Sequence, residues 1–122
     1  MFIAEINYSI TAESLQPANQ LRYSPVKGVL NSAIVHFPPG TNSLVEVFVY
    51  IGTVQVLPTP TTGDTQGNIG IRLHATTQSF NINIPIEQGD PLMVLVNNHD
   101  EDNPHTISVI LMIEAELSYT GP

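Results

Sequence analysis

The feature that most constrains this chain is an alternation of apolar and polar residues with a period of two, repeated in separate segments. Phe80, Ile82, Ile84 and Ile86 alternate with Asn81, Asn83 and Pro85. Successive side chains of a strand point to opposite faces, so this pattern buries one face and wets the other. Pro85 has no N–H to give to a ladder, which predicts an edge strand, a bulge or a strand end at that point. In Leu44–Ile51, Val45, Val47, Val49 and Ile51 share one face, against Leu44, Glu46, Phe48 and Tyr50 on the other. Towards the carboxyl end, Ile107, Val109, Leu111, Ile113, Ala115 and Leu117 oppose Thr106, Ser108, Ile110, Met112, Glu114 and Glu116. As a helix this last run has no coherent apolar stripe, and its β-branched content favours a strand.

Further strand candidates are Ile3–Thr11, Val29–Phe37, Thr53–Leu57, Ile69–Ala75 and Leu92–Asn97. Turn formers separate them: Gln16-Pro17, Ser24-Pro25, Pro38-Pro39-Gly40 and Gln88-Gly89-Asp90-Pro91. Residues 58–67 hold turn formers and no apolar side chain, the composition of a surface loop. Ala12–Gln20 has room for a short turn, and no segment reads as a convincing helix. Short strands at this spacing in 122 residues predict one domain, residues 1–122, built as an eight-stranded antiparallel two-sheet sandwich of jelly-roll type. An immunoglobulin-type sandwich is the alternative, although its Trp-and-disulfide core is absent.

Composition narrows the function. Hydrophobic residues make up 42% and mean hydropathy is +0.10, which suits a packed core and not a disordered chain. Only 11% of residues are charged, against roughly 25% in an ordinary soluble domain. Either Asn, Ser, Thr and Gln cover the surface, or like subunits bury part of it. The net charge is −8, and Arg22, Lys27 and Arg72 are the only Lys or Arg residues. They make no phosphate-tracking patch and no polybasic membrane patch, so neither nucleic acid nor membrane insertion is expected. The amino terminus has no basic n-region and reads as no signal peptide, and no apolar run is long enough for a membrane helix. With no cysteine, disulfides, thiol catalysis and thiolate metal sites are excluded. Several strands carry apolar side chains on both faces, where an antiparallel sandwich ordinarily solvates one. Phe48, Tyr50, Met93, Leu95, Ile110 and Met112 are therefore the expected interface residues of a homo-oligomer.

Candidate chemistry is sparse. Asp100, Glu101, Asp102 and Asn103 gather oxygen ligands in one turn, the chemistry Ca²⁺ prefers, but their spacing matches no EF-hand. A solvated loop is the simpler expectation. His36, His74, His99 and His105 form no His-x-His or His-x-x-x-His pair. There is no Gly-x-Ser-x-Gly elbow, no phosphate-cradling glycine loop and no nominated carboxylate pair. No catalytic residue, no metal and no cofactor is expected, and the chain reads as a non-enzyme. The segment Val96–Val109, with Asn97-Asn98 leading to Pro104-His105, resembles the cupredoxin step that carries the first copper ligand. The thiolate and the later histidine of that site are missing here.

Three further pieces carry a resemblance: Ile34-Val-His-Phe-Pro-Pro-Gly40, Leu44-Val-Glu-Val-Phe-Val49, and Asn97-Asn-His-Asp100 with Pro104-His-Thr-Ile-Ser-Val109. Their order is similar to small single jelly-roll virion proteins, the head-decoration and minor capsid proteins of tailed phages and archaeal viruses. The resemblance spans about residues 26–117 and implies a symmetric homo-oligomer, often a trimer, contacting capsid or other assembly proteins on a virion. It also leaves Met1–Thr11 free either to complete its own sheet or to exchange with a neighbour. A non-catalytic extracellular binding module for a glycan or surface ligand, Ca²⁺-dependent through the acidic turn, is the alternative function.

Overall fold

A computed structural model describes residues 2–58 and 70–115, and those residues form strands, turns and no helix. The strands are β1 (Phe2–Ala12), β2 (Pro17–Tyr23), β3 (Gly28–Phe37), β4 (Val45–Ile51), β5 (Val54–Leu57), β6 (Thr76–Ile86), β7 (Pro91–Asn98) and β8 (His105–Ala115). They make two antiparallel sheets, one ordered β1-β8-β3-β6 and the other β2-β7-β4-β5. β1 pairs with β8, β2 with β7, β3 with β6 and β4 with β5, so the chain is one long antiparallel ribbon folded over on itself. The cross-pairs β3 with β8 and β4 with β7 then complete the two sheets. This is the double Greek key of a jelly roll.

Alternation builds the core. Ile107, Val109, Leu111, Ile113 and Ala115 of β8 turn inward, as do Val45, Val47 and Val49 of β4 and Leu92, Val94 and Val96 of β7. Pro85 lies on β6, an edge strand, and the β3–β6 register slips between Leu30 and Ser32, so edge and bulge coincide there.

Two segments depart from the periodicity. Residues 17–23, not expected as a strand, form β2: of its inward positions Ala18, Gln20 and Arg22 only Ala18 is apolar, but its backbone ladder with β7 is continuous from Pro17 to Tyr23. Of Ile69–Ala75, expected as a strand, Ile69 lies outside the described residues and Gly70–Ala75 gives only a single bridge between Ile71 and Val47. From Gly70 onward this segment is a strap laid against β4, and a side chain at Gly70 would stand 2.9 Å from the Phe48 ring and the Glu46 Cβ. Strap and sheet approach too closely for anything but glycine.

One polar group crosses the core between the sheets. The Tyr8 hydroxyl on β1 donates to the Leu92 carbonyl on β7 over 2.8 Å. Burial pushes the phenol up to about 12, opposed by the nearby Arg22 guanidinium. Tyr8→Phe keeps the ring and removes this buried hydrogen bond, a loss of about 0.5–1.5 kcal/mol. Urea titration is expected to show a lower midpoint with an unchanged slope; an unchanged midpoint would mean that the bond adds nothing.

Candidate functional site

The two outward faces differ in kind. On the β2-β7-β4-β5 sheet, Leu21 opposes Met93 and Met93 opposes Tyr50, making one apolar row across three strands. Tyr23 beside Pro91 forms the row on one side, and Asn19, Leu95 and Phe48 form the row on the other. Tyr23 is 63% exposed and Leu21 46%. Tyr50, Met93 and Leu95 are half-buried. Phe48 is only 8% exposed, because its ring lies beneath the chain's own Gly70 and beside Tyr50, at 6.4 Å between centroids. Among the expected interface residues, Tyr50, Met93 and Leu95 thus share one open patch, with Phe48 as its floor. Leu21 and Tyr23 belong to the same patch and were missed in the sequence, since β2 was not legible as a strand.

The outer face of β1-β8-β3-β6 is mixed, with hydroxyls and amides beside Ile34, Ile110 and Met112 and the carboxylates of Glu5 and Glu114. One row reads Ser9, Ser108, His36 and Thr77; the next reads Asn7, Ile110, Ile34 and Ser79. Thr11 and Thr106 share a hydroxyl hydrogen bond of 2.7 Å, and His36 Nδ1 lies 2.7 Å from Thr77 Oγ1. Ile110 and Met112, expected at the interface, are half-buried on this face, Ile110 between Asn7 and Ile34 and Met112 between Glu5 and Ser32, apart from the apolar patch.

At one end of the sandwich the β1–β2, β3–β4 and β7–β8 turns and the strap meet in a polar network. Asn98, 1% exposed, donates its amide to the carbonyls of Ala12, Glu13 and Asn103 at 3.1, 3.3 and 2.9 Å. Its Oδ1 accepts the Asp100 N–H at 2.8 Å. Asp100 in turn accepts the Asp102 N–H at 2.9 Å and faces His105 Nε2 at 2.8 Å. These two bonds, the Asp102 N–H foremost, hold the Asp100 carboxyl below its ordinary range against the opposing effect of burial. The acidic turn is therefore folded around Asp100, with Glu101, Asp102 and Asn103 exposed.

A second carboxylate, Glu46, sits at the foot of the apolar patch. It accepts the Gly70 N–H at 2.8 Å, pairs with Arg72 at 3.0 Å and is hydrogen-bonded to His99. Burial works to raise its pKa, but these three donors outweigh burial and hold it below the ordinary value. The four histidines are thus spread over separate partners: Thr77 for His36, the Asn42 N–H for His74, Glu46 for His99 and Asp100 for His105. Among the described residues no group of three or more His, Cys, Asp or Glu side chains is placed to hold a metal ion.

No family model and no curated protein sequence matches the chain. Several solved structures resemble it. The CBM36-1 domain of a multidomain xylanase from the hindgut metagenome of Trinervitermes trinervoides has a TM-score of 0.49 at 10% identity, covering 92% of this chain and 100% of that one. A structure of tomato aspermy virus has a TM-score of 0.42 at 14% identity, covering 99% and 81%. A structure of infectious bursal disease virus, Gt strain, has a TM-score of 0.41 at 7% identity, covering 91% of this chain and 32% of that one.

The two depressed carboxyls set an acid limit to stability. A group with a lowered folded pKa stabilises above its unfolded value, near 4, and that contribution is lost as pH falls through the folded pKa. Glu46→Gln is expected to be less stable at pH 7 and to lose stability less steeply than wild type between about pH 5 and pH 2. Urea midpoints measured across that range test it, and an acid limb as steep as wild type's would show that Glu46 is not a source of it.

Proposed function

We propose that the chain is a non-catalytic structural protein that assembles with copies of itself through the outer face of its β2-β7-β4-β5 sheet. The observation that carries this reading is the run of three apolar cross-strand rows centred on Met93, with no charged side chain within them. Water-exposed contiguous apolar area of this kind marks an interaction face. The opposite face differs, since serines, threonines, asparagines and the carboxylates of Glu5 and Glu114 are interleaved with its apolar residues. Burying one face and wetting the other also accounts for a surface with few charges.

In its finer form, the reading places the assembly on a virus particle, as a decoration or minor capsid component, with a trimer favoured. The jelly-roll strand order and the sequence resemblance over residues 26–117 support it. Met93 lies at the centre of the patch, where truncation or charge costs an interface most. Sedimentation velocity is expected to show an oligomer for wild type, and Met93→Glu is expected to weaken it at least about tenfold. Ser79→Glu, on the polar face, is expected to leave it intact. A wild-type chain that stays monomeric at high micromolar concentration would overturn the proposal.

A further inference from the structure

Beside the β1 edge lies a hollow of about 410 Å³ that assembly through the apolar face leaves open. It is formed where Gln20 and Arg22 of β2 meet Asn7 and Ser9 of β1 and Ser108 of β8. Gln20 Oε1 accepts the Ser9 N–H at 3.2 Å, which ties the two edge strands together and fixes one wall. The Arg22 guanidinium stands 5.8 Å from the centroid of the Tyr8 ring, itself held by its bond to Leu92. The other two cationic side chains face carboxylates, Lys27 with Glu87 at 4.0 Å and Arg72 with Glu46 at 3.0 Å. Arg22 alone, among the described residues, has none. In a chain of net charge −8, an Arg positioned by an aromatic ring and unpaired with any of its own acids is a receptor for an external anion.

The neighbours of Arg22 narrow the class of anion. A simple ion needs only the guanidinium fork. Here the amides of Asn7 and Gln20 and the hydroxyls of Ser9 and Ser108, able both to donate and to accept, line the hollow together with the apolar surface of Tyr8 and Ile110. A sugar ring presents hydroxyls at its edge and C–H groups on its face, which suits a hollow whose wall is part apolar and whose amides and hydroxyls lie beside Arg22. Its volume is within the roughly 300–1,000 Å³ of small-ligand sites. We propose that the hollow binds a carboxylate-bearing saccharide, Arg22 taking the carboxylate and Asn7, Ser9, Gln20 and Ser108 taking ring hydroxyls. This site is separate from the apolar patch, so either can fail without the other.

The test is a ¹H–¹⁵N NMR titration of the full chain with 3′-sialyllactose and, separately, with a hyaluronan tetrasaccharide. Lactose, sodium acetate and the peptide acetyl-Gly-Glu-Gly serve as comparisons. The expected result is saturable shifts at Asn7, Ser9, Gln20, Arg22 and Ser108 with at least one acidic saccharide, and binding at least about tenfold weaker for all three comparisons. Arg22→Gln is expected to lose at least about tenfold in affinity, while Lys27→Gln, which removes the same charge elsewhere, retains it. Should Arg22→Gln fail to fold, Asn7→Asp sets a repelling carboxylate in the same hollow and is expected to lose binding. No saturable shift with either saccharide, equal binding of acetate or of the peptide, or an Arg22→Gln variant that binds as wild type would each overturn the proposal.

Discussion

The buried Asn98 carboxamide is the constraint on which one whole end of the molecule depends. β1 and β7 stop there, in different sheets, and the turns that follow them bring the carbonyls of Ala12, Glu13 and Asn103 to one buried point. A buried polar group without a partner costs several times what an ordinary hydrogen bond contributes. One side chain meets the need by bonding to Ala12, Glu13, Asn103 and Asp100 at once. The position of Asp100, and through it of His105, follows from that arrangement. An acidic turn that reads in the sequence as a loose cluster of oxygen ligands is instead the outer layer of a closed polar knot.

The other shaping constraint is the difference between the two sheets' outer faces. Both sheets contribute a buried inner face, as any sandwich must. Outside, one carries hydroxyls and amides and the other carries aromatic and aliphatic side chains. The Glu46 cluster marks the boundary of the apolar face, where the strap from Gly70 to Arg72 is clamped down over Phe48. The shortage of charge thus has a different counterpart on each sheet, hydroxyls and amides on one and an open apolar patch on the other.

What was legible in the sequence was whatever repeats every second residue. β4, β6, β7 and β8 stand out because their inward positions are mostly Val, Ile, Leu or Phe, and the fold class follows; the expected eight strands match in number only because Ile69–Ala75 was counted in place of β2. β2 was not legible, because at the sheet edge its core-side positions include the polar Gln20 and Arg22, and its only signal is the backbone ladder with β7. Residues 69–75 misled for the converse reason: Ile71 and Leu73 alternate as in a strand, but Gly70 and Arg72 serve the contact with Glu46. With β2 hidden, the apolar patch lost Leu21 and Tyr23, and the hollow lost Gln20 and Arg22. Candidate sites that straddle two strands are invisible to a reading made one segment at a time.

The nested pairing of strands has a consequence for how the molecule comes together. Phe2 lies opposite Ala115, so the outermost rung of the ribbon joins residues separated by nearly the whole chain. Closing that loop from an open coil carries a large entropy cost, and topologies dominated by such contacts fold slowly, in milliseconds to seconds. The innermost rung, β4 with β5, is a local hairpin across Gly52. Once it forms, β3 and β6 are brought near, then β2 and β7, and each rung shortens the loop left for the next. The ribbon can close like a zip from its folded middle outward, and the Tyr8–Leu92 bond belongs to the last turn of that closure.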